Sequence, residues 1–349
     1  MNKNKSSNLL RLIAFFLTSV ILVCTFGFTV DGWNQVNSDD NGGQNPMGNN
    51  NTPNNTTDET DSPTESLPVL FYNKLTGLET TEELANLAPV AYVMEKNAPL
   101  FGLSGADVII DIPTEGDNRL VTIRTDNTSL WKIGSIAPTR GYISNFANFF
   151  GAALLSYGSD EIMKQDSSVP DASFDLTNYS YKEYDDYFYT NSDLIAPLFE
   201  QRAFDAVLPY SFVDQGEFIP SATSANRISF EECELKYSEE SAAYFWFENG
   251  VQVRDLINGK TISFSNCLVL FSDSVIYDNS SGCQMVMSTI GSGIGYYATN
   301  GQIYEIKWTS TSSGIMSFFT ADGQPLQVNR GNIYIRILKS SMADDINIF

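Results

Sequence analysis

Histidine is absent from all 349 residues. Without it the chain cannot assemble Ser-His-Asp or Cys-His catalysis, or a histidine-ligated metal centre, from its own residues. Cysteine is scarce too. Of the four, Cys24 lies in an apolar N-terminal run, and Cys233, Cys267 and Cys283 lie in strand-like segments. Three is an odd number and the spacing matches no zinc pattern, so small buried hydrophobes are the plainer reading. A Cys267–Cys283 bridge across a hairpin stays open if the folded part faces an oxidising space. Positive charge is the third shortage: 20 Lys and Arg stand against 42 Asp and Glu, a net charge of −22. Such a surface repels phosphate backbones and anionic headgroups, so nucleic acid is not an expected partner.

The cations that exist are unevenly placed. Lys3, Lys5 and Arg11 precede an uncharged, mostly apolar run of 19 residues at 12–30. That length spans a bilayer, with the basic flank on the cytoplasmic side. Three fates compete. Length favours an uncleaved signal anchor. Cleavage after Gly27 is compatible with small residues at Thr25 and Gly27. Lipidation of Cys24 meets a bulky Val23 where a small residue is expected. Each fate exports the rest of the chain, and the expected location is the extracytoplasmic side of the cell membrane. Residues 31–66 carry seven acids, no base, and much Asn, Thr, Gly and Pro. They cannot bury enough apolar surface to order themselves and read as a tether with a reach of roughly 30–36 Å.

Globular composition begins at residue 67, and 42% hydrophobic residues overall allow a sizeable core. The expected class is α+β: a layered α/β domain over residues 67–208, then an antiparallel all-β domain over 209–349. Thr80-Thr-Glu-Glu83 is a capping box opening a short helix. Strands are expected at 90–94, 108–112 and 120–124. Tyr142, Ile143, Phe146, Phe149 and Phe150 share one helical face, Gly151 ends that helix, and 152–157 reads as the next strand. Residues 160–193 are polar and rich in Tyr and Asp and read as a long surface segment, with a helix following at 193–204. The acids Asp166, Asp171, Asp175, Glu183, Asp185 and Asp186 lack the spacing of a calcium loop and read as a solvated face. No metal and no cofactor is expected. In the second half Asn249-Gly250, Asn258-Gly259, Asn300-Gly301 and Asp322-Gly323 each separate apolar stretches, the strongest short-range hairpin signal.

Candidate functional residues gather at 106–157. Glu115 stands in a turn after a strand, Arg119 opens the next strand, Lys132 comes after it, and Arg140 begins a helix. An Arg there opposes the helix dipole and needs an anionic partner. The alternative to ligand binding, an internal Glu–Arg pair that locks the fold, has equal weight. Gly291-Ser-Gly-Ile-Gly295 lacks the spacing of a dinucleotide fingerprint, and a bulge or tight bend explains it better. Trp131, Trp246 and Trp308 suit sugar stacking or, more commonly, the core.

Two blocks carry a resemblance. Asn73-Lys-Leu-Thr-Gly-Leu78, Pro89-Val-Ala-Tyr-Val-Met94, Gly102-Leu-Ser-Gly-Ala-Asp-Val108, Glu115-Gly116, Lys132-Ile-Gly134 and Arg140 form the first. Leu235-Lys-Tyr237, Asn249-Gly250, Asp255, Gly291-Ser-Gly293, Tyr297, Asn300-Gly301 and Trp308 form the second. Together they resemble the YerB-like bacterial lipoproteins, a family of unknown function with two consecutive domains. The family pattern has an Arg where Ala137 stands, and histidines near Tyr157, near residues 184–187 and at Val253. The polar site this implies is stripped here to Glu115, Arg119, Arg140 and Asp255, which are the expected ligand-binding residues, with no catalytic residue assigned. The expected function is a membrane-tethered, non-catalytic binding or scaffold module for a cell-wall fragment, another small polar molecule or an envelope protein. The alternative is an envelope hydrolase acting on cell-wall glycan through Glu115 and a second carboxylate such as Asp255.

Overall fold

Short runs of Val, Ile and Leu, buried on both faces, make strands the dominant element. The computed structural model describes residues 69–158, 173–184, 186–198, 204, 206–213, 223–279 and 282–349, the side chains of 277–283 excepted. The apolar run at 12–30 with its three fates, Cys24, the tether at 31–66, and Asp166, Asp171 and Asp185 lie outside them. No helix among the described residues is long and apolar enough to cross a membrane.

The first strands are β1 (Val90–Glu95), β2 (Val108–Ile112), β3 (Arg119–Arg124), β4 (Ile133–Ile136) and β5 (Ala153–Ser156). Helix α1 (Gly141–Phe149) joins β4 to β5, and Gly151 at φ +64° turns the chain after it. A five-residue helix at Glu82–Asn86 precedes them. Its N-cap is Thr81, one residue beyond the capping-box Thr80, with Oγ1 accepting from Leu84 N at 3.3 Å.

The stretch expected to run over the surface supplies three strands among its described residues: β6 (Ser173–Asp175), β7 (Tyr181–Glu183) and β8 (Tyr187–Thr190). Its tyrosines outweigh its acids there. Tyr189 is fully buried, and Phe188 stacks on Tyr157 at 3.5 Å between ring centroids. The helix that comes next is short, Ser192–Ile195. Among the described residues the first half thus carries strands with one substantial covering helix, rather than the alternating α/β layers expected.

The second half contributes β9 (Arg227–Phe230), β10 (Cys233–Ser238), β11 (Ala243–Glu248), β12 (Asn266–Ser272), β13 (Gly291–Thr299), β14 (Gln302–Ser310), β15 (Met316–Thr320) and β16 (Ile333–Lys339). Asn249-Gly250 and Asn300-Gly301 make hairpin turns with both residues at positive φ, as two-residue loops require. The half is not purely antiparallel. β12 runs parallel to β16, and Ser211–Phe212 runs parallel to Gln327–Val328.

The central sheet runs β14-β13-β12-β16-β2-β3-β1-β4-β8-β7, and β5 shares an edge of β1 with β4. The C-terminal strand β16 is therefore inserted between a strand from each half. Alternation assigns the two faces. Val108, Ile110, Ile112, Ile333, Ile335 and Ile337 pack under α1, and Ile109, Tyr334 and Leu338 pack with Leu235, Tyr244 and Trp246 of the sheet built on β9–β11. Contacts join residues 66–349 as one compact unit.

The glycine run expected to make a bulge or bend is regular strand, in unbroken register with β14 from Gly291↔Ser310 to Thr299↔Gln302. The glycines permit close approach instead. A Cβ on Gly293 would lie 2.6 Å from Trp308 Nε1 and 2.8 Å from the Phe271 carbonyl, and one on Gly295 would strike the Val269 carbonyl. Gly295→Ala should therefore destabilise the protein by about 1–3 kcal/mol. Gly116→Ala, where a Cβ meets open space, should stay within about 0.5 kcal/mol of wild type. Equal denaturation midpoints for the two variants would refute the close-approach account.

Candidate functional site

The turn joining β2 to β3 is stiffened by Thr114, whose Oγ1 donates to the Asp117 carbonyl at 2.5 Å and accepts from Gly116 N at 3.4 Å. This projects Glu115 toward Arg140, the N-cap of α1, whose side chain makes no capping bond. Arg140 Nε donates to Glu115 Oε1 at 3.1 Å, Nη2 bonds the same oxygen, and Nη1 donates to the Thr139 carbonyl at 2.9 Å. The carboxylate is the anionic partner that a guanidinium at a helix N-terminus requires. The side chains of Glu115 and Arg140 keep 17% and 24% of their surface. Burial alone would raise the Glu115 pKa, but hydrogen bonds from Arg140 and backbone N–H groups hold it below the ordinary carboxylate value. Glu115 Oε2 is buried and meets no donor within hydrogen-bond geometry among the described residues.

Arg119 sits in register with Ile112 and Glu95 and makes no side-chain hydrogen bond or ion pair among the described residues. Its charge does reach the Tyr142 phenol. Glu115 and Arg140 thus meet directly, with Arg119 beside them. Asp255 does not join them. It is 1% exposed and accepts from Gly102 N, Ser104 N, Ser104 Oγ and Ile257 N at 2.7–3.0 Å. Its role is to pin the turn at Leu103–Gly105 to the second half of the chain. Lys132, expected near the site, is enclosed instead: Nζ lies 4.1–4.4 Å from the ring centroids of Phe101, Tyr189 and Tyr184 and 2.7 Å from Glu183. Of the three tryptophans only Trp131 is exposed, and Trp246 and Trp308 are core.

A charge as heavily bonded as Asp255 escaped sequence reasoning. Asp111 is completely buried. Its Oδ2 accepts from Lys96 Nζ at 2.7 Å and Tyr334 OH at 2.8 Å, and its Oδ1 from Asn118 Nδ2 at 3.0 Å and from Arg336. Arg336 and Asp111 are register partners on adjacent parallel strands, which puts both on one face. Arg336 also bonds Glu231, and Lys96 pairs with Glu248 at 2.7 Å. A signal was present: an acid inside Val-Ile-Ile-Asp-Ile and an arginine inside Ile-Tyr-Ile-Arg-Ile-Leu are charges in strands otherwise apolar throughout. No group of three His, Cys, Asp or Glu side chains among the described residues is placed to share a metal. Cys267 is a free, buried thiol, so the bridge to Cys283 is not formed.

Burial would raise the Asp111 pKa, but the charges of Arg336 and Lys96 lower it below the ordinary 3.8. Burial would lower the Lys96 pKa, but Asp111 and Glu248 raise it above 10.5. A depressed acid contributes stability above its unfolded pKa and loses it as pH falls through the folded one. A raised base contributes below its unfolded pKa and loses it as pH rises through the folded one. The network should therefore stabilise fully between these ordinary values and fail at both extremes. Asp111→Asn strands two buried cations and should cost on the order of 3–5 kcal/mol in urea unfolding. Arg140→Ala, at a half-open pair, should cost about 1–3 kcal/mol. Equal losses would show that Glu115–Arg140 is as structural as Asp111.

Comparison with known proteins places this geometry. The Bacillus subtilis (strain 168) protein YerB, named as a candidate lipoprotein, is 23% identical over 297 residues, covering 78% of this chain and 88% of that protein. The crystal structure of Bacillus subtilis YerB is similar with a TM-score of 0.67 at 20% identity, over 80% of this chain and 99% of that one. The N- and C-terminal domains described as a protein of unknown function, DUF3048, match residues 75–209 and 225–335 in that order. With both domains present over most of its length, this chain belongs to the DUF3048 family.

Proposed function

We propose that this chain is an exported protein, held at the extracytoplasmic face of the membrane by its N-terminal run, that binds a small polar or cell-wall ligand or an envelope protein without transforming it. The naming of YerB as a candidate lipoprotein supports attachment at that face, through residues 12–30 or a lipid on Cys24. One observation carries the non-catalytic reading: Glu115 is bonded by Arg140, and the other candidate carboxylate, Asp255, is buried and spends its oxygens on four hydrogen bonds. Glycoside hydrolysis needs two carboxyl groups about 5–10 Å apart across an open cleft, one of them able to hold a proton. Glu115 is shifted toward lower pKa, the wrong direction for a general acid. Of the four candidate residues, Arg119, half-exposed and without a side-chain partner among the described residues, is the one left to meet a ligand.

Thermal unfolding of the full chain with soluble peptidoglycan fragments tests this. A fragment at a hundredfold excess over its Kd adds about 2.7 kcal/mol to the folded state and raises Tm. The shift should disappear in Arg119→Ala while the unliganded Tm stays near wild type. Release of reducing ends from the same fragments, abolished by Glu115→Gln, would instead establish the hydrolase.

A further inference from the structure

The β2–β3 turn has a second side. Its residues Gly116 and Asn118 line a cavity of about 220 Å³ that Lys96, Glu248, and Glu231 and Glu232 from the β9–β10 turn complete. Lys96 is the informative group. An ammonium carries three donors. Asp111 Oδ2 accepts one of them at 2.7 Å, Glu248 Oε1 lies at 2.7 Å as an ion-pair partner, and the Trp246 ring centroid is too distant at 5.7 Å to take another as a hydrogen bond. The remaining N–H has no acceptor among the described residues, although only 9% of the side chain is exposed. A buried donor left unpaired is costly, and the cavity that Lys96 lines is where a partner can be supplied.

The walls offer the opposite chemistry. Glu231 uses Oε2 for Arg336, Glu232 uses Oε2 for Asn249 at 3.2 Å, and Glu248 uses Oε1 for Lys96 and for Trp246 Nε1 at 2.7 Å. Each keeps its other oxygen without a donor among the described residues. Asn118 gives its Nδ2 to Asp111 and keeps its side-chain Oδ1 without a donor among the described residues. A complementary ligand therefore accepts one hydrogen bond and donates several, as a molecule with many hydroxyls does. Glu231, Glu232, Glu248, Asp111 and Asp117 outnumber Lys96 and Arg336 around this space, so an anion is repelled and a cation is favoured.

We propose that this cavity binds a small polyhydroxylated ring, preferentially one carrying an ammonium group, with one hydroxyl accepting from Lys96 and others donating to Glu231, Glu232 and Glu248. The proposal does not rest on the Glu115–Arg140 reading, since it uses the opposite side of the turn and none of those side chains.

Calorimetric titration of the full chain, in a zwitterionic detergent free of sugar headgroups, distinguishes the outcomes. D-glucosamine should bind roughly five- to tenfold more tightly than D-glucose, and D-glucuronate should give no heat. The preference for glucosamine should shrink in high salt as the charges are screened and fall in Glu232→Gln. Gly116→Trp enters open space without a positive-φ constraint, so it should abolish glucosamine binding while leaving Tm unchanged. No heat from any of the three sugars at millimolar concentration would overturn the proposal. So would glucuronate binding as tightly as glucosamine, or undiminished binding in a folded Gly116→Trp protein. Arg119→Ala should leave these titrations untouched.

Discussion

A single carboxylate, that of Asp111, sits where the two halves of the chain become one sheet. Strand β16, from the far end of the sequence, lies between β12 and β2, and its Arg336 falls opposite Asp111 in the parallel register. A one-residue slip would swap the faces of the whole strand, placing Arg336 among Val108, Ile110 and the other apolar residues under α1, where Ile335 and Ile337 now pack. The buried pair thus penalises every register but one. Its net contribution against a hydrophobic substitute is small, because desolvating two charges offsets most of their attraction, and its larger effect is on uniqueness. Lys96 and Glu231 extend the same constraint to the covering sheet: one binds Glu248 at the end of β11, and the other stands in the β9–β10 turn at φ +49°.

Local features were legible in the sequence. β2 has the bounds read from its apolar run, α1 buries the face assigned to it, and Asn249-Gly250 and Asn300-Gly301 turn the hairpins between the strands read on either side. What stayed hidden was non-local. Nothing in residues 333–339 says that they pair with residues 108–112, since a run buried on both faces looks alike in any sheet. The strands at 173–190 stayed hidden for the reverse reason: Asp175 and Glu183 are exposed, and only the aromatic run Tyr187-Phe-Tyr189, with Tyr189 fully buried, marks them.

The site was half legible. Glu115 and Arg140 could be brought together by reasoning about a helix dipole, because the cost of a guanidinium at an N-terminus is a local fact. Asp255 carried no such local argument, and its neighbours Gly102 and Ser104 are about 150 positions away. Short polar residues after a strand read equally well as a ligand site or a staple. Only the saturation of both carboxylate oxygens shows which Asp255 is.

That saturation separates the charges of this protein into two kinds. Asp111 and Asp255 are buried with both carboxylate oxygens bonded, and Lys132 is enclosed by Glu183 and three aromatic rings. Arg119 and the free oxygens of Glu231, Glu232 and Glu248 are partly uncommitted, and Lys96 lines the same cavity as those three acids from a mostly buried position. They offer hydrogen bonds of both polarities, while Asp111 and Glu115 are both held below the ordinary carboxylate range by the cations beside them. Under the binding role proposed above, the excess of carboxylates around the cavity disfavours anionic ligands before any contact is made.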